Sequence, residues 1–337
     1  MKWNKLIGFC LSSVLSFQIS AQDPQFTQFY AAPTYLNPAF AGTTVQSRFA
    51  MNYRHQWPAI SKAFVTYNAS YDQYMPGINS GIGVMVTHDR AGTGALTYTN
   101  IGVQYAYEVN LTRKVSLRPA LQASYTMRSL DFNRLTFGDQ LLRDNASSTI
   151  DPNMPQFSDR NVVHPDFGSG LLLYSEKFWL GISAHHMNRP NQSLVQRDSR
   201  LPVKYSAHGG WRQRINPDNE YARKQHLVTA FNYKAQGNFD QFDLGVYYEY
   251  DLISFGVWYR GLPGFKKNDA NYVHHDALAL MLGVEAKGIY IGYSYDITIS
   301  HIAANTGGSH EISLISEFAS KRNKKRAKRR VIPCAKF

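Results

Sequence analysis

From Gly288 to Phe318 the side chains alternate in twos. Ile289, Ile291, Tyr293, Tyr295, Ile297 and Ile299 share one parity. Tyr290, Gly292, Ser294, Asp296, Thr298 and Ser300 share the other. Alternation over about a dozen residues predicts a strand with one apolar and one polar face. After a turn at Gly307-Gly308, Ile312, Leu314 and Phe318 oppose Glu311, Ser313 and Glu317. The first of these strands exceeds the usual strand length of a soluble sheet. It reaches the roughly 9–11 residues a tilted strand needs to cross a bilayer. The pair reads as the last hairpin of a transmembrane antiparallel β-barrel.

The same pattern recurs upstream. Strands are predicted around Arg48–Arg54, Val65–Asp72, Gly81–His88, Asn100–Glu108, Val115–Ser129, Phe167–Tyr174, Phe178–His185, Val203–Gln213, Gln225–Ala235, Gln241–Tyr250, Ile253–Arg260 and Leu278–Glu285. With the final hairpin the expected count is about fourteen. Long connections follow strands five, seven, eleven and thirteen, and short ones follow two, four, six, ten and twelve. The long ones therefore share one end of the barrel, with Ile215–Arg223 a longish turn at the other. An even count also puts both chain ends together, and outer-membrane barrels keep their termini and short turns in the periplasm. A soluble β-sandwich would alternate too, but fourteen long strands with faces of Ile, Leu, Tyr and Phe favour the barrel.

Composition changes this picture little. The mean hydropathy of −0.36 is no objection, since every second residue of a barrel strand faces a polar lumen. The 22 Tyr, 19 Phe and 5 Trp suit aromatic girdles at the two membrane interfaces. No later window offers the apolar length of a membrane helix. Met1–Ala21 reads as a secretory signal: Lys2 and Lys5 precede the apolar Leu6–Phe17, and Ile19-Ser20-Ala21 offers a cleavage site before Gln22. An N-terminal anchor is the alternative, but the apolar run is short for one.

Four segments are expected: the signal (1–21), a Pro- and aromatic-rich arm (22–45), the barrel (46–319) and a basic tail (320–337). Pro24, Pro33 and Pro38 argue against a regular helix or central strand in the arm. Its many apolar rings point to an ordered segment, packed in the lumen or at its mouth, rather than a flexible leader.

The formal charge of +12 is concentrated in the tail. Nine of the 36 Lys and Arg lie in 321–337 and two in the signal, leaving 25 against all 24 acids between them. The body is nearly neutral, so it offers no basic face for nucleic acid. Lys321, Arg322, Lys324, Lys325, Arg326, Lys328, Arg329 and Arg330 suit an acidic protein surface or lipid headgroups in the periplasm; a merely solvated tail is the plain alternative. Once Cys10 leaves with the signal, Cys334 is the only cysteine. It either pairs with a partner's thiol or is a spectator, and with Phe337 it closes a motif that mimics a prenylation box, whose enzyme an exported protein never meets.

Arg48, Arg54, Asp72, Glu108, Asp243, Glu249, Arg260, Glu285 and Asp296 take the inward parity. Charges facing lipid are costly, so these are expected to line the lumen as ion pairs. No nucleophile motif, metal-ligand spacing or phosphate loop is visible, so neither catalysis nor a cofactor is expected. His185-His186 and His274-His275 are each adjacent on a strand, and neighbours on a strand face opposite ways.

Several motifs resemble one family. Asp23-Pro24-Gln25-Phe26-Thr27-Gln28-Phe29-Tyr30 and Tyr35-Leu36-Asn37-Pro38-Ala39-Phe40-Ala41-Gly42 resemble the opening of PorP/SprF proteins. Phe137-Gly138-Asp139-Gln140, Gly292-Tyr293-Ser294-Tyr295-Asp296, Gly307-Gly308-Ser309-His310-Glu311-Ile312-Ser313-Leu314 and the pair Cys334 and Phe337 are similar too. The resemblance implies an outer-membrane barrel of the Bacteroidetes type IX secretion system, linked to protein export and gliding adhesins. It implies a non-enzymatic role in which a secreted cargo's C-terminal region and other secretion components are partners. A passive porin or small-solute transporter is the alternative.

Overall fold

The computed structural model describes residues 23–44, 47–60, 64–92, 96–131, 161–194, 198–215, 225–261, 275–299 and 306–318. Among them are fourteen long strands: β1 (Ser47–Gln56), β2 (Phe64–Met75), β3 (Ser80–Ala91), β4 (Leu96–Tyr107), β5 (Ser116–Ser129), β6 (Asn161–Tyr174), β7 (Phe178–His185), β8 (Lys204–Arg214), β9 (Gln225–Gln236), β10 (Phe239–Tyr250), β11 (Ile253–Gly261), β12 (His275–Ala286), β13 (Ile289–Thr298) and β14 (Ser309–Phe318). Each pairs antiparallel with its neighbour in sequence. The sheet closes on itself because β1 pairs with β14, from Ser47 opposite Phe318 to Gln56 opposite Ser309. Closure leaves no edge to satisfy in lipid.

A fifteenth, two-residue strand, Val109–Asn110, continues β4 along β5 in the same register. The break between them falls where Pro119 of β5 would pair, and proline has no N–H to give. Strand β6 begins six residues before the predicted Phe167 and includes Pro165. The ring is tolerated because Pro165 pairs with Tyr125 of β5, while β7 pairs with β6 only from Ser169 onward. That flank of Pro165 needs no ladder hydrogen bond.

Alternation sets the two faces. Ile82, Val84, Val86, Ile101, Val103, Leu121, Leu280, Leu282 and Ile291 are exposed on the outer wall. Tyr67, Tyr125, Tyr205 and Phe239 ring one end, and Tyr71, Tyr105, Tyr107, Trp211, Tyr248 and Phe318 the other. This is the apolar band between aromatic girdles of a membrane barrel. The end with connections such as 76–79, 175–177, 251–252 and 287–288 is termed the turn end, and the opposite one the loop end.

Candidate functional site

The bore is occupied by the chain itself. Residues Phe26 to Thr44 are buried almost throughout. They form three short helical pieces: a 3-10 turn at Phe29–Ala31, one α turn at Pro33–Leu36 and a 3-10 turn at Pro38–Phe40. The prolines that argued against a long helix here start the last two turns. At the first helical position the missing N–H costs nothing. Asn37 caps the final turn through a 2.9 Å bond from Ala39 N to its Oδ1. The arm runs from Asp23 at the loop end down to the turn end, where β1 starts, so the even strand count brings Ser47 and Phe318 together at the turn end but not Asp23, which the arm carries to the opposite end.

Three groups of contacts hold it. In the first, Glu311 of β14 accepts Thr27 N at 2.7 Å and Gln28 N at 3.0 Å. Thr27 Oγ1 donates to Asp296 of β13 at 2.6 Å and accepts from Arg54 and Arg260. Arg54 bridges Asp296 (2.9 Å) and Glu311 (3.2 Å), and Arg260 adds a 3.2 Å contact to Asp296. Gln28 completes the group with Ser294 and Ser313.

The second group lies toward the turn end. Arg48 forks onto Asp72 at 2.9 and 3.1 Å and reaches Phe40 O at 3.1 Å. Gly42 N donates to Asp72 at 2.7 Å, from a left-handed φ of 67° that suits glycine. Arg118 pairs with Glu108 at 2.7 Å and caps the carbonyls of Ala39 and Ala41. Bidentate, charge-assisted bonds of this kind are the strong ones.

The third group closes the loop end. Asp23 accepts from His186 Nε2 at 2.9 Å and Lys204 Nζ at 3.0 Å, while His186 Nδ1 meets Asp166 at 2.7 Å. Burial works against the Asp23 carboxylate, but His186 and Lys204 outweigh it and hold its pKa well below the ordinary 3.8. Burial likewise opposes the imidazolium, yet Asp23 and Asp166 raise His186 to about 9. The alternation rule fails at this pair. His186 lies past the end of β7 with φ 59°, so it turns inward like His185. Both its nitrogens are taken by carboxylates. His274 lies outside the described residues.

Between these groups the fit is apolar. Phe29 meets the Trp258 ring edge-on at 4.7 Å, Tyr30 meets Trp179 at 5.4 Å, and Phe40 stacks on His208 at 5.3 Å. Glycines of inward parity make the room. A Cβ on Gly170 would fall 2.0 Å from Asn37 Oδ1, one on Gly292 2.5 Å from Gln28 Oε1, and one on Gly81 2.0 Å from Ala41 O. Asn37 Nδ2 reaches the carbonyl of Ile182 at 3.0 Å.

The predicted residues thus divide. Asp23, Asn37, Pro38, Gly42, Asp296 and Glu311 belong to the arm and its seat, and Pro24 accepts the Tyr35 hydroxyl at 2.5 Å. Tyr293, Tyr295 and His310 instead face outward, with Tyr293 Oη 2.8 Å from His310 Nδ1. Gly308 takes φ 70° at the turn into β14. Of the expected lumen charges, Arg48, Arg54, Asp72, Glu108, Asp243, Arg260 and Asp296 are buried inside. Asp139, Gln140, the basic residues Lys321 to Arg330, Cys334 and Phe337 lie outside the described residues. Thr27, Arg118, Trp179 and Trp258 went unrecognised as seat residues. Inward glycines in otherwise regular strands were the available signal, since such a gap marks a close approach of another backbone.

The profile of the type IX secretion system membrane protein PorP/SprF family matches residues 18–315. Among solved structures the chain is similar to the Acinetobacter baumannii outer membrane protein Omp33 (9% identity, 81% of this chain and 98% of that one, TM-score 0.45). It is also similar to the CymD monoaromatic hydrocarbon channel (13%, 86% and 93%, 0.45) and the P. putida toluene transporter TodX (9%, 84% and 93%, 0.45). At such identities and scores these likenesses carry no argument. No curated protein matched the sequence.

Proposed function

The chain belongs to the type IX secretion system membrane protein PorP/SprF family, and on that premise we propose that it assists the export or cell-surface attachment of secreted proteins, gliding adhesins among them, without catalysing a reaction. Family and barrel together make it a bacterial outer-membrane component of that system, in contact with lipid and with other secretion components. In the proposed orientation the loop end faces outward and meets the cargo's C-terminal region. The turn end faces the periplasm, where the basic tail docks on the secretion machinery.

The observation that carries this reading is the occupied bore. A passive porin works through an open, water-filled lumen. Here the arm occupies the lumen and is held by ion pairs at Asp23, by hydrogen bonds from the buried Arg48, Arg54 and Arg118, and by aromatic contacts between them. A barrel whose interior is spent on holding its own N-terminal segment is suited to presenting surfaces rather than passing solutes.

The test has two parts. Planar-bilayer recording on the purified full-length barrel is expected to show no steady current. A pull-down from detergent-solubilised outer membrane is expected to bring a secreted protein or a secretion component. Steady open-channel current with no co-purifying partner overturns the reading in favour of a porin.

A further inference from the structure

The loop end is uneven, and the reason is local. Strand β7 is eight residues long and stops at His185, while β6 extends eight residues beyond their last shared pair on that side. The connection after β7 folds back over the uncovered flank of β6. Met187 N donates to Phe167 O at 3.0 Å, Asn188 Nδ2 to Pro165 O at 2.8 Å, and Asn188 Oδ1 accepts Phe167 N at 3.3 Å. Arg189, at φ 46°, then turns the chain back, and Leu201 N closes on Pro190 O at 2.9 Å. Because the connection leans toward β6, it leaves a groove of about 390 Å³ above β8 and β9, lined by Arg189, Pro202, Val203, Tyr205, Ala235 and Gly237.

This groove opens on the outer wall, not the lumen. Lys204 and Ser206 point inward, so Val203 and Tyr205 point out, and Ala235 is the cross-strand partner of Tyr205. Tyr205 is 60% exposed and stands in the loop-end girdle, with the exposed Ile182 and Leu180 of β7 below. Arg189 is exposed and has no acidic partner among the described residues. From top to bottom the order is guanidinium, aromatic ring, aliphatic wall. That is the order of a lipid's phosphate, interfacial region and acyl chain. The volume lies within the about 300–1,000 Å³ of small-molecule sites.

We propose that this groove holds the phosphate-bearing headgroup of an outer-leaflet lipid, with Arg189 on the phosphate and the first acyl carbons against Tyr205 and Ala235. The occupant is a membrane lipid because the groove is continuous with the lipid-facing belt and an arginine fork matches a phosphate. The proposal is independent of the secretion role and takes only the leaflet from the proposed orientation.

Native mass spectrometry of the full-length barrel, released from micelles doped equally with phosphatidylglycerol and the phosphate-free diacylglycerol, tests it. The wild type is expected to retain the anionic lipid about fivefold over the neutral one. Arg189→Ala is expected to abolish the preference and Arg189→Lys to keep part of it. Ala235→Trp, which fills the groove and leaves the arginine, is expected to lower retention of both lipids. Heat-modifiable gel mobility checks that each variant is folded. Equal retention by wild type and Arg189→Ala overturns the proposal. So does displacement by millimolar inorganic phosphate, which would mark a bare anion site.

Discussion

Thr27 Oγ1 lies 2.6 Å from Asp296 Oδ2, across 269 positions of sequence. The contact joins the start of the chain to the next-to-last strand, beside the β1–β14 seam that closes the barrel. Closure and arm seating therefore share residues. Arg54 sits on β1, Arg260 on β11, Asp296 on β13 and Glu311 on β14, and all converge on the backbone and hydroxyl of Thr27.

Removing the acid is expected to cost more than removing the hydroxyl. Asp296→Ala leaves two buried guanidiniums short of a carboxylate, a loss of about 3–5 kcal/mol. Thr27→Val removes neutral hydrogen-bonding capacity worth about 1 kcal/mol, with some added cost because it faces charged partners. Urea midpoints of the folded barrel in detergent, together with protease cutting within 23–44, measure both. Equal midpoints for Asp296→Ala and wild type would show that the arm is not anchored there.

Inward glycines predict a graded response. Gly170→Ala collides with the Asn37 side chain, so adding Asn37→Gly is expected to restore a seated arm. Gly81→Ala collides with the Ala41 carbonyl, which no side-chain change can clear. The check is arm protection against protease in the two single variants and the double. Failure of the double variant to regain protection, or tolerance of Gly81→Ala, would contradict the packing described.

The loop-end clamp is expected to respond to pH at both limits. The His186 pKa is raised from 6.5 to about 9, so its stabilisation is complete below about 6.5 and is lost as pH rises through about 9. Asp23 is depressed below 3.8, so its stabilisation is present above that value and is lost as pH falls toward its folded pKa. Proteolysis of the arm is expected to quicken above pH 9, and His186→Gln is expected to remove that alkaline step. An alkaline step of the same size in His186→Gln would assign it to another group.

The arm and β14 leave Asp23 and Phe318 at opposite ends of the barrel. An epitope placed just before Asp23 is expected to bind antibody on intact cells, since Asp23 stands at the loop end. An epitope after Phe337 is expected to bind only after the outer membrane is opened. The reverse pattern would invert the proposed orientation.

Deleting Lys321 to Phe337 is expected to leave the barrel folded, because the β1–β14 pairing that closes it ends at Phe318, and to stop display of cargo at the surface. Whole-cell immunodetection of the secreted protein reads the outcome. Normal display in the truncated strain would remove the docking role of the tail.

What the sequence determined by itself was everything that depends on period and sign. Two-residue alternation placed fourteen strands, because an inward and an outward side chain answer to different solvents. It put Arg48, Asp72, Arg54, Asp296 and Arg260 inside, because a charge on the lipid face is too costly. Boundaries slipped where local rules met an unseen neighbour: Pro165 is a strand residue only because β7 is short beside it, and His186 turns inward only because the strand has already ended. What tertiary structure alone decided was the content of the bore. Asn37 fits because Gly170 and Gly181 lack side chains on two other strands, and Thr27 is held by residues from four. Alternation reports which way a side chain points and not what stands opposite it. That is settled only when closure of the barrel brings residues hundreds of positions apart within a hydrogen bond of each other.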